Sequence, residues 1–137
     1  MNNNKPTTRL VFISAERPGM NDIQTHDAFE RLVDEVIELG LSYKVVIGCY
    51  KGVKETTLCV GVTGGDDLIA LRAIGTQFKQ DSILYRDLEG DAYIIPCGVD
   101  SWHVDKIGQM VRITYLEAQK SGSWTYDLDT IQYWGVK

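Results

Sequence analysis

Between Asp22 and Gly40 the chain carries a pattern that leaves it little freedom. Phe29, Leu32, Val33, Val36 and Leu39 recur at helical spacing, while Glu30, Arg31, Asp34, Glu35 and Glu38 take the opposite face. A helix with one apolar stripe must bury it against a second layer, and Gly40 supplies a C-terminal stop. Ahead of this helix, "RLVFIS" is a short β-rich run that ends in "AERPGMND", where Pro18 and Gly19 break regular structure. Behind it, "YKVVIGCY" and "ETTLCVGV" predict a hairpin joined by Lys51 to Lys54, with Leu58, Val60 and Val62 on one face.

"TGGDDLIALRAIGTQF" predicts a turn and a second helix, with Asp66 and Asp67 near the positive end of its dipole. Leu68, Leu71, Ile74 and Phe78 then face inward. "DSILY" and "DAYII" follow as strands, divided by a turn at Glu89 and Gly90 and ended by Pro96. This β-α-β-β-α-β order with an extra strand predicts an α+β, ferredoxin-like fold, in which two helices cover one face of an antiparallel sheet. The opposite face needs cover, which oligomerisation can supply. "GQMVRITYLEAQ" fits strand or helix, and "SWTYDLDTIQYWGVK" predicts a C-terminal hairpin turning around Asp127 to Thr130. The 137 residues suit one domain, residues 9–137, behind a flexible polar tail at 1–8.

Composition narrows the function classes. A net charge of −5 with scattered Lys and Arg argues against a nucleic-acid partner, which needs clustered cations. "MNNNKPTTRL" lacks a signal peptide's apolar core and no apolar run has the length of a membrane span, so a cytoplasmic protein with no membrane partner is expected. Cys49, Cys59 and Cys97 have no CxxC spacing and lie in or beside apolar runs, so they read as small core residues of a reduced protein. His26 and His103 have no companion ligands, so no metal is expected. No P-loop or dinucleotide fingerprint is present. Trp102, Trp124 and Trp134 read as core or interface residues.

The hairpin is the chemically informative stretch. If "KGVK" forms its turn, Tyr50 and Glu55 oppose each other on one sheet face, able to act together on one ligand. The competing reading is a solvated tip with Glu55 paired to Lys51 or Lys54.

Four segments, "FISAERP", "GCYKGVKETTLCV", "ALRAIGTQFKQDSILY" and "WTYDLDTIQYWGV", occur in an order that resembles the bacteriophage-encoded S-adenosylmethionine lyases, formerly called hydrolases. The resemblance implies destruction of S-adenosylmethionine without a cofactor: the substrate's carboxylate attacks its Cγ, releasing methylthioadenosine and homoserine lactone and countering host methylation and restriction. It also implies a homo-oligomer similar to trimeric PII-type proteins, with sites between subunits, in the host cytoplasm. The family's catalytic tyrosine and glutamate match Tyr50 and Glu55, across a turn shorter than the family's. Ser14, Arg17, Gln80, Asp81 and Ser82 fall in matching segments and are substrate-binding candidates, with strand-end caps or structural hydrogen bonders as the other reading. Outside catalysis, a PII-like or anti-defence module that sequesters a nucleotide-type ligand stays open.

Overall fold

The computed structural model describes residues 8–137, so the tail expected at 1–8 lies, Thr8 excepted, outside the described residues. Strand β1 (Arg9–Ser14) leads through the Pro-Gly loop to helix α1 (Asp22–Glu38). A capping box starts α1: Asn21 Oδ1 accepts the Gln24 amide at 2.8 Å, and Gln24 Oε1 accepts the Asn21 amide at 3.0 Å. The strands β2 (Tyr43–Tyr50) and β3 (Val53–Val62) form the next hairpin, followed by helix α2 (Gly65–Gln77) and strands β4 (Ser82–Arg86) and β5 (Asp91–Pro96). The ambiguous segment after Ser101 is strand and helix in turn, β6 (Asp105–Ile113) then α3 (Tyr115–Ser121), divided by a capping box between Thr114 and Glu117. The final hairpin is present as β7 (Trp124–Asp127) and β8 (Gln132–Val136).

The ferredoxin-like expectation fails at the level of the whole sheet. Eight antiparallel strands close into a barrel in the order β1-β3-β2-β7-β8-β6-β5-β4, with β4 returning to β1. The C-terminal strands are no appendage. They extend from β4 through β5 and β6 on one side, and β7 pairs with β2 on the other, so the two edges that an open sheet would leave at β2 and β4 are both used. Full closure removes the edges and their unpaired backbone groups. A bulge between Ala92 and Tyr93, opposite Gly108 at φ +142°, bends β5 and β6 toward the ring. The face opposite the helices, expected to be covered by neighbouring subunits, is instead the barrel's interior.

One set of alternating side chains builds the outer core. Val11, Ile13, Leu58, Val60, Ile83 and Ile95 pack beneath Leu32 and Val36 of α1 and Leu71 and Ile74 of α2. Each such side chain contributes about 1.5–3 kcal/mol on full burial. A smaller cluster of Cys49, Trp124 and Ala118 lies under α3. The other set of alternating residues, Lys44, Val46 and Gly48 on β2 with Glu55, Thr57 and Cys59 on β3, faces inward.

Where β2 meets β7, the partly exposed Lys44 Nζ donates to Asp127 Oδ2 at 2.5 Å. Burial by itself would raise the Asp127 carboxyl, but Lys44 and the amides of Asp129 and Thr130 hold it below the usual carboxylate range. The Lys44 ammonium is raised in turn, chiefly by its hydrogen bond to Asp127. Because the folded Asp127 pKa is depressed, its contribution is fully present above the ordinary carboxylate range and is lost as pH falls through the folded pKa. Asp127→Ala is expected to cost about 1–2 kcal/mol at neutral pH, a figure discounted for the partial exposure of Lys44. Urea denaturation from pH 7 to pH 3 should show the gap between wild type and variant closing on the acid side.

Candidate active site at the β2–β3 end of the barrel

Backbone geometry first corrects the hairpin. Lys51 (φ +50°) and Gly52 (φ +81°) both occupy the left-handed region, which makes a two-residue turn whose twist matches that of the strands. Val53 and Lys54 therefore belong to β3, so Tyr50 opposes Val53 while Glu55 opposes Gly48. Tyr50 and Glu55 still share a face, as diagonal neighbours with roughly 7–8 Å between Cα atoms. The turn is anchored from outside: the Gly52 amide donates to the Gly122 carbonyl at 2.9 Å and the Lys51 amide to Ser123 Oγ at 3.2 Å.

Neither lysine neutralises Glu55 among the described residues. Lys51 Nζ sits 5.3 Å from the Tyr50 ring centroid and Lys54 Nζ 5.8 Å from that of Trp124. The Tyr50 ring thus already holds an ammonium on its face, a contact available to other cations. Half-buried Glu55 has its pKa raised, first by desolvation and then by the charge of Glu16. Two acidic side chains at one end of the barrel, Glu16 on the Thr56 amide and Glu55 beside it, with Lys51 and Lys54 turned to aromatic rings, favour a positively charged ligand.

Glu16, in the β1–α1 loop, escaped the sequence reading although it stands inside "FISAERP". Its carboxylate accepts the Thr56 amide, and its carbonyl accepts Gln80 Nε2 at 3.0 Å. Ser14, buried at the end of β1, donates its hydroxyl to the Thr56 carbonyl at 3.0 Å and accepts the Glu16 amide at 3.1 Å. Ser14, Glu16, Glu55 and Gln80 are therefore gathered at one end of the barrel. The β1–β4 register, Leu10 with Arg86 and Phe12 with Leu84, brings the start of β4 and Ser82 toward the same end. Asp81 is engaged through its carbonyl, which accepts the Cys97 amide at 2.9 Å, and Arg17 is exposed in the loop.

Gly48 carries the bare backbone opposite Glu55, and a Cβ there would stand 2.8 Å from Thr57 Oγ1. The Thr57 hydroxyl thus favours glycine at this position, which leaves β2 without a side chain opposite Glu55. Elsewhere, burial pushes the Cys59 thiol up to about 11, as suits a core thiol. His26 lies on the helix surface, 3.0 Å from Glu30. Among the described residues no group of three or more His, Cys, Asp or Glu side chains is placed to hold a metal, and no helix is long and apolar enough to cross a membrane.

Residues 11–137 match the model of the S-adenosylmethionine lyase family. No curated protein matches the chain.

The raised Glu55 pKa has a direct consequence for stability. As pH rises from the ordinary 4.5 through the folded value, the native state must give up a proton it holds more tightly than the unfolded chain does, and stability falls. Glu55→Gln removes that loss and is expected to raise the melting temperature at pH 7, while leaving it nearly unchanged near pH 3. Thermal melts at the two pH values check this.

Proposed function

Because the chain belongs to the S-adenosylmethionine lyase family, we propose that it degrades S-adenosylmethionine by an intramolecular displacement at the barrel end that holds Glu55 and Tyr50. In this reaction the substrate carboxylate forms a bond to Cγ, the Cγ–S bond breaks, and sulfur keeps the electron pair. Homoserine lactone and methylthioadenosine result, with no net proton transfer. In a host cell this would remove the methyl donor used in methylation and restriction.

The observation that carries this reading is Glu55, half-buried beside a second carboxylate, with no ion pair from Lys51 or Lys54. S-adenosylmethionine presents two cationic centres, an ammonium and a sulfonium, and a negative site selects for both. Glu55 holds one of these centres, and Tyr50 packs its ring face against the folded methionine chain. Arg17, Asp81 and Ser82 bind the adenosine and amino-acid ends, while Ser14 and Gln80 hold the surrounding backbone through the Thr56 and Glu16 carbonyls.

The substrate brings its own nucleophile and leaving group, so the protein's work is to select the conformer in which oxygen approaches Cγ opposite sulfur. Opposite charges vanish along the way, and exclusion of water from the site favours their recombination. Tyr50 is 67% exposed and Val53 68% exposed in the single chain, which leaves one side of the site open. A further copy of the chain, in a homo-oligomer such as a trimer, would close that side.

Incubation of the purified protein with S-adenosylmethionine is expected to release methylthioadenosine, and Glu55→Gln should lower the rate by roughly a hundredfold with the fold intact. Binding without product would instead support a sequestering module. In heavy-oxygen water the homoserine hydroxyl should stay unlabelled, since later opening of the lactone at its carbonyl places the label in the carboxylate. Label in the hydroxyl would mean direct attack of water on Cγ. Light scattering at micromolar concentration should give a mass above 15.4 kDa; an active monomer would remove the shared-site arrangement.

A further inference from the structure

Strand β1 stops pairing at Ser14, opposite Thr57, whereas β3 continues toward the hairpin through Thr56 and Glu55. At that step the β1 backbone no longer supplies partners, and two side chains take over. The Ser14 hydroxyl donates to the Thr56 carbonyl, and the Glu16 carboxylate accepts the Thr56 amide. The substitution holds the residue next to Glu55 from both of its backbone polar groups. Gln80, reaching from the end of α2 to the Glu16 carbonyl, fixes the loop that carries this carboxylate.

We propose that Glu16 is a positioning residue of the site: its carboxylate replaces the missing ladder partner of Thr56, sets the backbone that carries Glu55, and stands as a second negative charge beside it. The inference rests on the assignment of Glu55 to the site for its functional half only, since the clamp on Thr56 exists whatever the ligand.

Charge separates this role from simple strand support. Around Glu55, β2 contributes Gly48 directly opposite and Tyr50 on the diagonal, and β7 contributes Thr125 beyond Gly48. The neighbouring Lys54 lies over Trp124, and Lys51 lies over Tyr50. Among the described residues Glu16 is the charged group that acts on Glu55, and it adds to burial in opposing ionisation. A cationic ligand relieves that repulsion, so the paired charges bind it more strongly than Glu55 alone. Glutamine at position 16 keeps an oxygen for the Thr56 amide and removes the charge; alanine removes both.

The test compares wild type, Glu16→Gln and Glu16→Ala in the full chain by three measurements. The first is titration of the Glu55 side-chain carboxyl by carbon NMR, the second is hydrogen exchange of the Thr56 amide, and the third is methylthioadenosine release against pH. Glu16→Gln should retain protection at Thr56, lower the Glu55 midpoint, and move the acid limb of kcat/KM to lower pH. Glu16→Ala should speed exchange at Thr56 by about tenfold and lower turnover by roughly a hundredfold. An unchanged Glu55 midpoint in Glu16→Gln, or unchanged Thr56 exchange in Glu16→Ala, would overturn the proposal. Wild type that releases no methylthioadenosine would defeat the proposed function instead, and the NMR and exchange arms would still decide the role of Glu16.

Discussion

The β1–β3 ladder is the contact on which the rest of the molecule depends. Its six pairs run from Arg9 with Val62 to Ser14 with Thr57. On the outer face this register sets Val11 and Ile13 among Leu58, Val60 and Val62, which is the surface that α1 and α2 bury. On the inner face it sets Phe12 opposite Cys59, and β4 and β2 are then added to its two sides. A shift of one residue would exchange those faces and expose the core. The end of the same ladder also decides where Thr56 loses its backbone partners, and hence where Ser14 and Glu16 are required.

Two pairs of charged groups show how differently the same barrel treats them. Lys44 and Asp127 neutralise each other where β2 meets β7, and each favours the partner's charged form. Glu16 and Glu55 do the reverse: both are acidic, and Glu55 is pushed toward its neutral form, first by burial and then by the charge of Glu16. The first arrangement supports the fold. The second opposes it, because two acidic side chains share one end of the barrel while Lys51 and Lys54 lie over aromatic rings.

The family assignment and the geometry meet at this point. The proposed reaction, in which the substrate supplies its own nucleophile and leaving group, asks mainly for shape and negative charge. The β2–β3 end offers a bare glycine at Gly48, an aromatic face at Tyr50 that already accepts an ammonium, and paired carboxylates. The tight turn contributes by holding β2 and β3 in one register up to Tyr50 and Val53, with Gly122 and Ser123 bracing it from the far side.

Local chemistry was legible in the sequence. The apolar stripe of α1, the alternation of Leu58, Val60 and Val62, the apolar settings of the cysteines and the closing hairpin around Asp127 all follow from periodicities of a few residues, which neighbouring side chains enforce by themselves. The shared face of Tyr50 and Glu55 was legible for the same reason, although the turn that relates them proved two residues shorter, because Lys51 takes the left-handed conformation beside Gly52. Closure of the barrel was not legible. Alternation says which side chains share a face but not which strand edges meet, so the pairing of β7 with β2 across more than seventy residues was settled only in three dimensions. Glu16 escaped for the same reason: its partner Thr56 lies forty residues away, and only the point where β1 ends brings that carboxylate to that amide.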